Sequence, residues 1–167
     1  SDESGNYNKV KQGDKDFEKD EGETVITGES DKNTVTIDTS GGKVDVTFDD
    51  LKIDASDKGK AAVRVEGGHD ATIELDGDNK LKSGSHNAGL EKNGNESSGK
   101  LTIKDDNDTK GSLTAKGGEG GGAGIGGGIK STGSSITIRG GTIKAVGGSN
   151  AAGIGDGAGR ATGPTDD

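Results

Sequence analysis

Residues 101–125 carry Leu101-Thr102-Ile103, then Gly111-Ser112-Leu113-Thr114-Ala115, then Gly122-Ala123-Gly124-Ile125, and the same phrases return as Ile136-Thr137-Ile138, Ile143-Lys144-Ala145 and Ala152-Gly153-Ile154. None of them keeps apolar residues at i, i+3, i+4 and i+7; apolar residues alternate with polar ones or glycine, the period of a strand. Toward the N-terminus the first phrase class continues as Val35-Thr36-Ile37, Ala62-Val63-Arg64-Val65 and Ala88-Gly89-Leu90. A second class adds Val46-Thr47-Phe48 and Ala71-Thr72-Ile73, and a third adds Leu51-Lys52-Ile53 and Leu81-Lys82-Ser83. Leu51, Leu81, Leu113 and Ile143 recur at intervals of 30, 32 and 30 residues. The spacing predicts an all-β right-handed parallel β-helix, a solenoid with three short strands per coil and about four to five coils. In each triplet the outer residues point inward onto their counterparts and the middle residue points out.

Composition agrees with this fold and with few others. Only 24% of the 167 residues are hydrophobic and 2% aromatic, with 34 glycines and no Trp, Met or Cys. An ordinary globular core is hard to fill from that stock, and such numbers normally signal disorder. A solenoid needs only a thin aliphatic strip per coil. The segment Gly117–Gly128, with 9 glycines in 12 residues, has the composition of a flexible linker. Its Ala123-Gly124-Ile125 falls where the repeat demands a strand, so its glycines are expected as tight corners and a flat outer surface along Gly89, Gly124 and Gly153. Residues 1–23 are expected to form a cap or tail, 24–163 the β-helix and 164–167 a C-terminal tail. The chain begins at Ser1 rather than Met, as a mature fragment or excised domain would. No apolar run approaches membrane-spanning length, so membrane insertion is not expected. Residues 1–110 hold 26 acids and 16 bases, against 4 and 5 in residues 111–167. A nucleic-acid partner is not expected, because most of this surface repels phosphate.

The outward residues suggest where chemistry lies. The turns between second and third strands are acidic in successive coils: Asp49 and Asp50, Asp76 and Asp78, then Asp105, Asp106 and Asp108. Stacked carboxylates repel one another, and calcium, a hard ion taking oxygen ligands from flexible loops, is the expected cofactor if any is bound. The competing reading is that Asp and Asn simply form good turns. Lys52, Lys82 and Lys144, with Thr114 between them, form a broken column beside the outward Thr47, Thr72, Thr102 and Thr137, and Lys52, Lys82, Lys144, Thr72, Thr102 and Thr137 are the candidate ligand-binding residues. Lysines on exposed strands also serve to discourage edge pairing. Catalysis is not expected: His69 and His86 fall in separate turns, and Gly122–Gly127 fits GxGxxG without a following helix. Ice binding would call for paired threonines on every coil, and only one is present.

The run from Asn87-Ala88-Gly89-Leu90 through Gly99-Lys100-Leu101-Thr102-Ile103, Gly111-Ser112-Leu113-Thr114-Ala115 and Gly122-Ala123-Gly124-Ile125-Gly126-Gly127-Gly128 resembles the carbohydrate-binding β-helix domains of secreted clostridial and other Gram-positive surface proteins. Ile136-Thr137-Ile138-Arg139-Gly140-Gly141-Thr142-Ile143-Lys144-Ala145 continues the cadence. The resemblance spans about residues 24–160. It implies a pectate-lyase-like fold without cleavage, an extracellular, secreted or wall-attached setting, and a polysaccharide partner such as cellulose or polygalacturonate, with calcium in some members. The alternative function is a structural stalk or adhesin segment that self-associates through coil ends or its flat face.

Overall fold

Val35-Thr36-Ile37 and Val63-Arg64-Val65 are β-branched at both outer positions, which suits a pleated surface with one side chain in and the next out. The computed structural model describes residues 9–12, 18–19 and 24–159. In it Val35, Ile37, Val63 and Val65 are buried while Thr36 and Arg64 are half-buried. The described residues are all-β, without a helix. The strands are β1 (Lys9–Gln12), β2 (Glu18–Lys19), β3 (Thr24–Ser30), β4 (Val35–Asp38), β5 (Val44–Asp54), β6 (Val63–Glu66) and β7 (Ala71–Lys82). They continue as β8 (Leu90–Glu91), β9 (Leu101–Lys104), β10 (Gly111–Lys116), β11 (Ile125–Gly126), β12 (Ile136–Ile138), β13 (Thr142–Val146) and β14 (Ile154–Gly155).

Two sheets share these strands. The first runs β14-β11-β8-β6-β4-β1-β2 and is parallel except at β1, which pairs antiparallel with both β4 and β2. The second is parallel and runs β3-β5-β7 before dividing into β9-β12 and β10-β13. From β4 onward the chain alternates between sheets and returns each time beside its own earlier strand. The later repeats keep the second and third classes as separate strands, β9 and β10, then β12 and β13, as expected, whereas β5 and β7 each run through both classes as one strand, which corrects the expectation for the earlier repeats. They bend where Asp50 and Gly77 take positive φ of 50° and 67°, a backbone that glycine adopts freely.

At the bend β7 holds one residue more than β5. Asp49 pairs with Asp76, but the next aligned pair is Lys52 with Lys80. The aligned inward columns are therefore Ile53-Leu81-Ala115-Ala145 and Asn79-Leu113-Ile143, correcting the expected Leu51-Leu81-Leu113-Ile143 ladder. Asn79 sits in the interior fully buried. Its Oδ1 accepts from Leu51 N at 2.8 Å, and its Nδ2 donates to Phe48 O, Asp76 O and Ser112 O at 3.3, 3.1 and 3.1 Å. The amide thus satisfies backbone groups that the extra residue pulls out of the ladder.

The glycine-rich segment is packed. Gly117, Gly118 and residues 121–128 are buried. Gly89 and Gly124 do not lie on a flat outer surface, as alternation suggests, but face the end of the third strand class. A Cβ on Gly124 would stand 2.6 Å from Val146 N and 2.7 Å from Gly153 O, and one on Gly89 would stand 2.8 Å from Lys116 N. Main chain meets main chain here, which leaves no room for a side chain. Inward residues close over one another until the last repeat, where Ile136, Ile138, Ile143 and Ala145 are only partly covered. Residues 160–167, with the expected C-terminal tail, and residues 1–8, 13–17 and 20–23 of the expected N-terminal cap lie outside the described residues.

Two substitutions test this packing. Asn79→Ala leaves Leu51 N and three carbonyls without their partner and is expected to lower the unfolding free energy by about 3 kcal/mol. Gly124→Ala is expected to cost about 1–3 kcal/mol by overpacking. Urea unfolding followed by circular dichroism measures both; an unchanged midpoint for either shows that its contacts do not hold the fold.

Candidate functional site: a lysine-lined groove

Beyond the bend, the outward residues of the third strand class stand in two adjacent columns. Lys52, Lys80, Thr114 and Lys144 are aligned in one, and Asp54, Lys82, Lys116 and Val146 in the other. The extra residue at the bend therefore puts Lys80, not Lys82, beside Lys52, and Lys82 one column over. Neighbours within a column are about 4.8 Å apart and columns about 6.8 Å apart, the strand spacing and a two-residue rise. A concave surface of about 630 Å³ covers this lattice, lined by Lys52, Lys80, Lys82, Thr114 and Lys116, with Glu29 and Asp31 at its N-terminal end. Lys144 continues the first column but does not line the concavity.

The carboxylates nearest these lysines are already engaged. Asp78 accepts from Ser112 Oγ at 2.7 Å, and that bond, followed by the charges of Lys80 and Lys52, holds its carboxyl below the usual range. Asp54 is lowered in the same way by Ser56, whose hydroxyl and N donate to it at 2.5 and 3.0 Å, with Lys82 adding to the effect. Lys80 lies 3.8 Å from Asp78 with both side chains more than half exposed, a pair worth little in water. Among the described residues Lys52, Lys82, Lys116 and Lys144 make no salt bridge.

The candidate threonines are placed elsewhere. Thr72, Thr102 and Thr137 are aligned behind Asp45 on the second strand class, across the bend from the lysines, and Thr72 and Thr102 line a different concavity. Thr47 is not in their column; it aligns with Glu74. The candidate metal ligands act as turn acceptors instead of converging. Asp50 takes Asp78 N at 2.8 Å, Asp76 takes Asn107 Nδ2 at 2.8 Å, and Asp105 takes Gly111 N at 3.0 Å. Asp106 is held by Lys104 at 3.1 Å, Asp49 is aligned with Asp76, and Asp108 is exposed. Among the described residues no three His, Asp or Glu side chains gather as a metal cage. Both histidines are exposed.

One polar cluster was not foreseen. Glu91, which ends β8, and Lys92 and Asn93 after it are all buried. Glu91 accepts from Ala88 N at 2.9 Å and Asn93 Nδ2 at 3.2 Å, Asn93 Oδ1 accepts from Gly128 N at 2.8 Å, and Lys92 donates to Ser97 O and Ser134 O at 3.1 and 3.2 Å. Burial pushes the Glu91 carboxyl up and the Lys92 ammonium down. In sequence the cluster looks like a hydrated loop; the only hint is that Glu91-Lys92 directly follows the inward Leu90. Nearby, Arg64 pairs with Glu96 and lies 3.5 Å from Glu66. No known family model, curated protein or solved structure matches the chain.

Glu91 gives a pH signature. Its folded carboxyl titrates above the reference 4.5, so between that value and the raised one the native state binds more protons than the unfolded state. Wild-type stability therefore falls through this window as pH rises. Relative to wild type, Glu91→Gln is expected to gain stability over the same window, measured by urea unfolding at successive pH values. A pH-independent difference would show that the carboxyl is hydrated.

Proposed function

We propose that the chain is a non-catalytic extracellular domain that binds an acidic polysaccharide along the lysine groove, its repeats winding as a right-handed parallel β-helix. The observation that carries the reading is the lattice of Lys52, Lys80, Lys82 and Lys116, whose charges recur at strand spacing. In a chain of net charge −9, a concave surface where four lysines meet three carboxylates selects for negative charge. It does so best for a polymer, because each exposed ammonium adds little and several must act together. The groove presents ammonium groups, the Ser30 and Thr114 hydroxyls and three exposed carboxylates but no histidine and no buried carboxyl, a set suited to holding rather than cleaving. The resemblance of residues 24–160 to carbohydrate-binding β-helices supports the same ligand class. The β-helix itself is supported by strands that pair in parallel with those one repeat away.

A second reading, a stalk that self-associates, is favoured by where apolar surface is exposed. The large exposed hydrophobics among the described residues, Val25 at 50%, Val146 at 38% and Ile154 at 47%, all lie on terminal strands, where open edges invite pairing.

Affinity electrophoresis through gels containing polygalacturonate, heparin or neutral dextran separates these readings. Retardation is expected in the acidic gels only, without need of calcium. Retention should weaken about threefold for each of Lys52→Gln, Lys80→Gln and Lys116→Gln and be lost near 0.5 M salt, where screening is nearly complete. Wild type that runs freely in every gel sinks polysaccharide binding; concentration-dependent sedimentation would then favour the stalk.

A further inference from the structure

The second strand class carries its own concavity, about 360 Å³, lined by Lys43, Asp45, Asp70, Thr72, Thr102, Lys104 and Arg139. Its floor is the aligned series Asp45, Thr72 and Thr102, which Thr137 continues beyond the lining. None of the three threonine hydroxyls makes a hydrogen bond among the described residues, so each is available as donor and acceptor. Their spacing is that of the strands, about 4.8 Å.

Charge is graded along this floor. At the N-terminal end are Asp45, 3.5 Å from Lys43, and Asp70, which accepts from Lys100 N at 2.8 Å. At the other end Arg139 N donates to Ile103 O at 2.8 Å, which seats Arg139 beside Lys104. Lys104 is committed to Glu74 at 3.6 Å and Asp106 at 3.1 Å. The Arg139 guanidinium makes no hydrogen bond or salt bridge among the described residues, whereas Arg64 is paired twice. An unoccupied planar fork of donors at one end of a hydroxyl row is matched by an oxyanion, which it takes in bidentate fashion.

We propose that this concavity is a second binding site, separate from the lysine groove, for a small hydroxylated ligand carrying a single oxyanion, with the anion on Arg139 and the hydroxyls on Thr72, Thr102 and Asp70. The volume lies near the lower end of small-molecule pockets, about 300 Å³ and upward, and so suits one sugar-sized unit rather than a chain. Asp45 and Asp70 repel a second negative charge at the far end. A polyanion suited to the lysines is thereby a poor ligand here. The site does not rest on the polysaccharide reading and can fail or stand without it.

Isothermal titration with glucuronate, glucose and glycerol 3-phosphate tests it. Glucuronate is expected to bind about tenfold more tightly than glucose, the difference being one charge-assisted bidentate contact, and glycerol 3-phosphate, with more charge, more weakly than glucuronate. Arg139→Gln should bring glucuronate down to glucose, Arg139→Lys should restore part of the difference, and Thr102→Val should weaken both sugars severalfold. Lys80→Gln should change none of these while reducing retention in acidic gels, so the two sites fail separately. Equal binding of glucuronate and glucose by wild type, or selectivity that survives Arg139→Gln in a variant of native circular dichroism, overturns the proposal. Tighter binding of glycerol 3-phosphate than of glucuronate overturns its single-charge character.

Discussion

From β4 onward, every strand satisfies its backbone on a strand one repeat away, and the parallel ladder so formed is the constraint on which the rest depends. Parallel partners must stay in register along their whole length, so residues can be gained or lost only where the chain turns. The interval between repeats varies because the turns absorb the variation. Where a difference of one residue falls inside a continuous strand, at the bend of β7, the ladder needs repair. Asn79 supplies it, with all of its hydrogen bonds going to main-chain atoms on neighbouring strands or within its own. A polar side chain in an aliphatic column is stabilising here because the alternative is unpaired buried backbone.

The same constraint governs glycine. A cross-section with few large side chains lets opposing strands approach until main chain touches main chain, and at Gly89 and Gly124 the third strand class lies against the first. Small residues are thus a condition of the thin core rather than a weakness in it. The aliphatic stock, low for a globular domain, suffices because each repeat closes over the next. Among the described residues only the last repeat lacks that cover, and Ile143 and Ala145 there are partly exposed.

Strand positions and the outward Lys52, Lys82 and Lys144 were legible in the sequence, because alternation of Val, Ile and Leu with polar residues is a local signal, whereas even in the first two classes the columns are shifted, Val46 standing beside Ile73 and Val63 beside Leu90. Register was not. Leu51 and Leu81 look equivalent by interval, yet Ile53 is the residue beside Leu81; an inserted residue shifts the whole column, and its presence shows only through pairing. Lys80 was missed for that reason, hidden behind Asn79, whose inward placement contradicts its polarity. Lys116 was visible as the next outward position after Thr114 but fell outside the triplet. The glycine face was misread because alternation alone does not say which side another strand approaches. Glu91 and Lys92 were missed because polar residues after a short strand are normally hydrated.

Charge follows from these positions. The acidic residues crowd the bends, where Asp and Asn side chains accept from main-chain N–H groups of the next repeat, as Asp50 does from Asp78 and Asp70 from Lys100. Their negative charge is thus spent on geometry within the chain. The strands beyond the bends need no such acceptors, and their outward positions carry cations with few fixed partners. A protein acidic in sum therefore presents lightly partnered positive charge on the two concave faces described above. The faces differ because one repeats its cation along the strands while the other offers a single guanidinium behind a row of hydroxyls. That difference, set by which residues stand outward in each strand class, is the physical basis on which we propose a polymer for one face and a single small unit for the other.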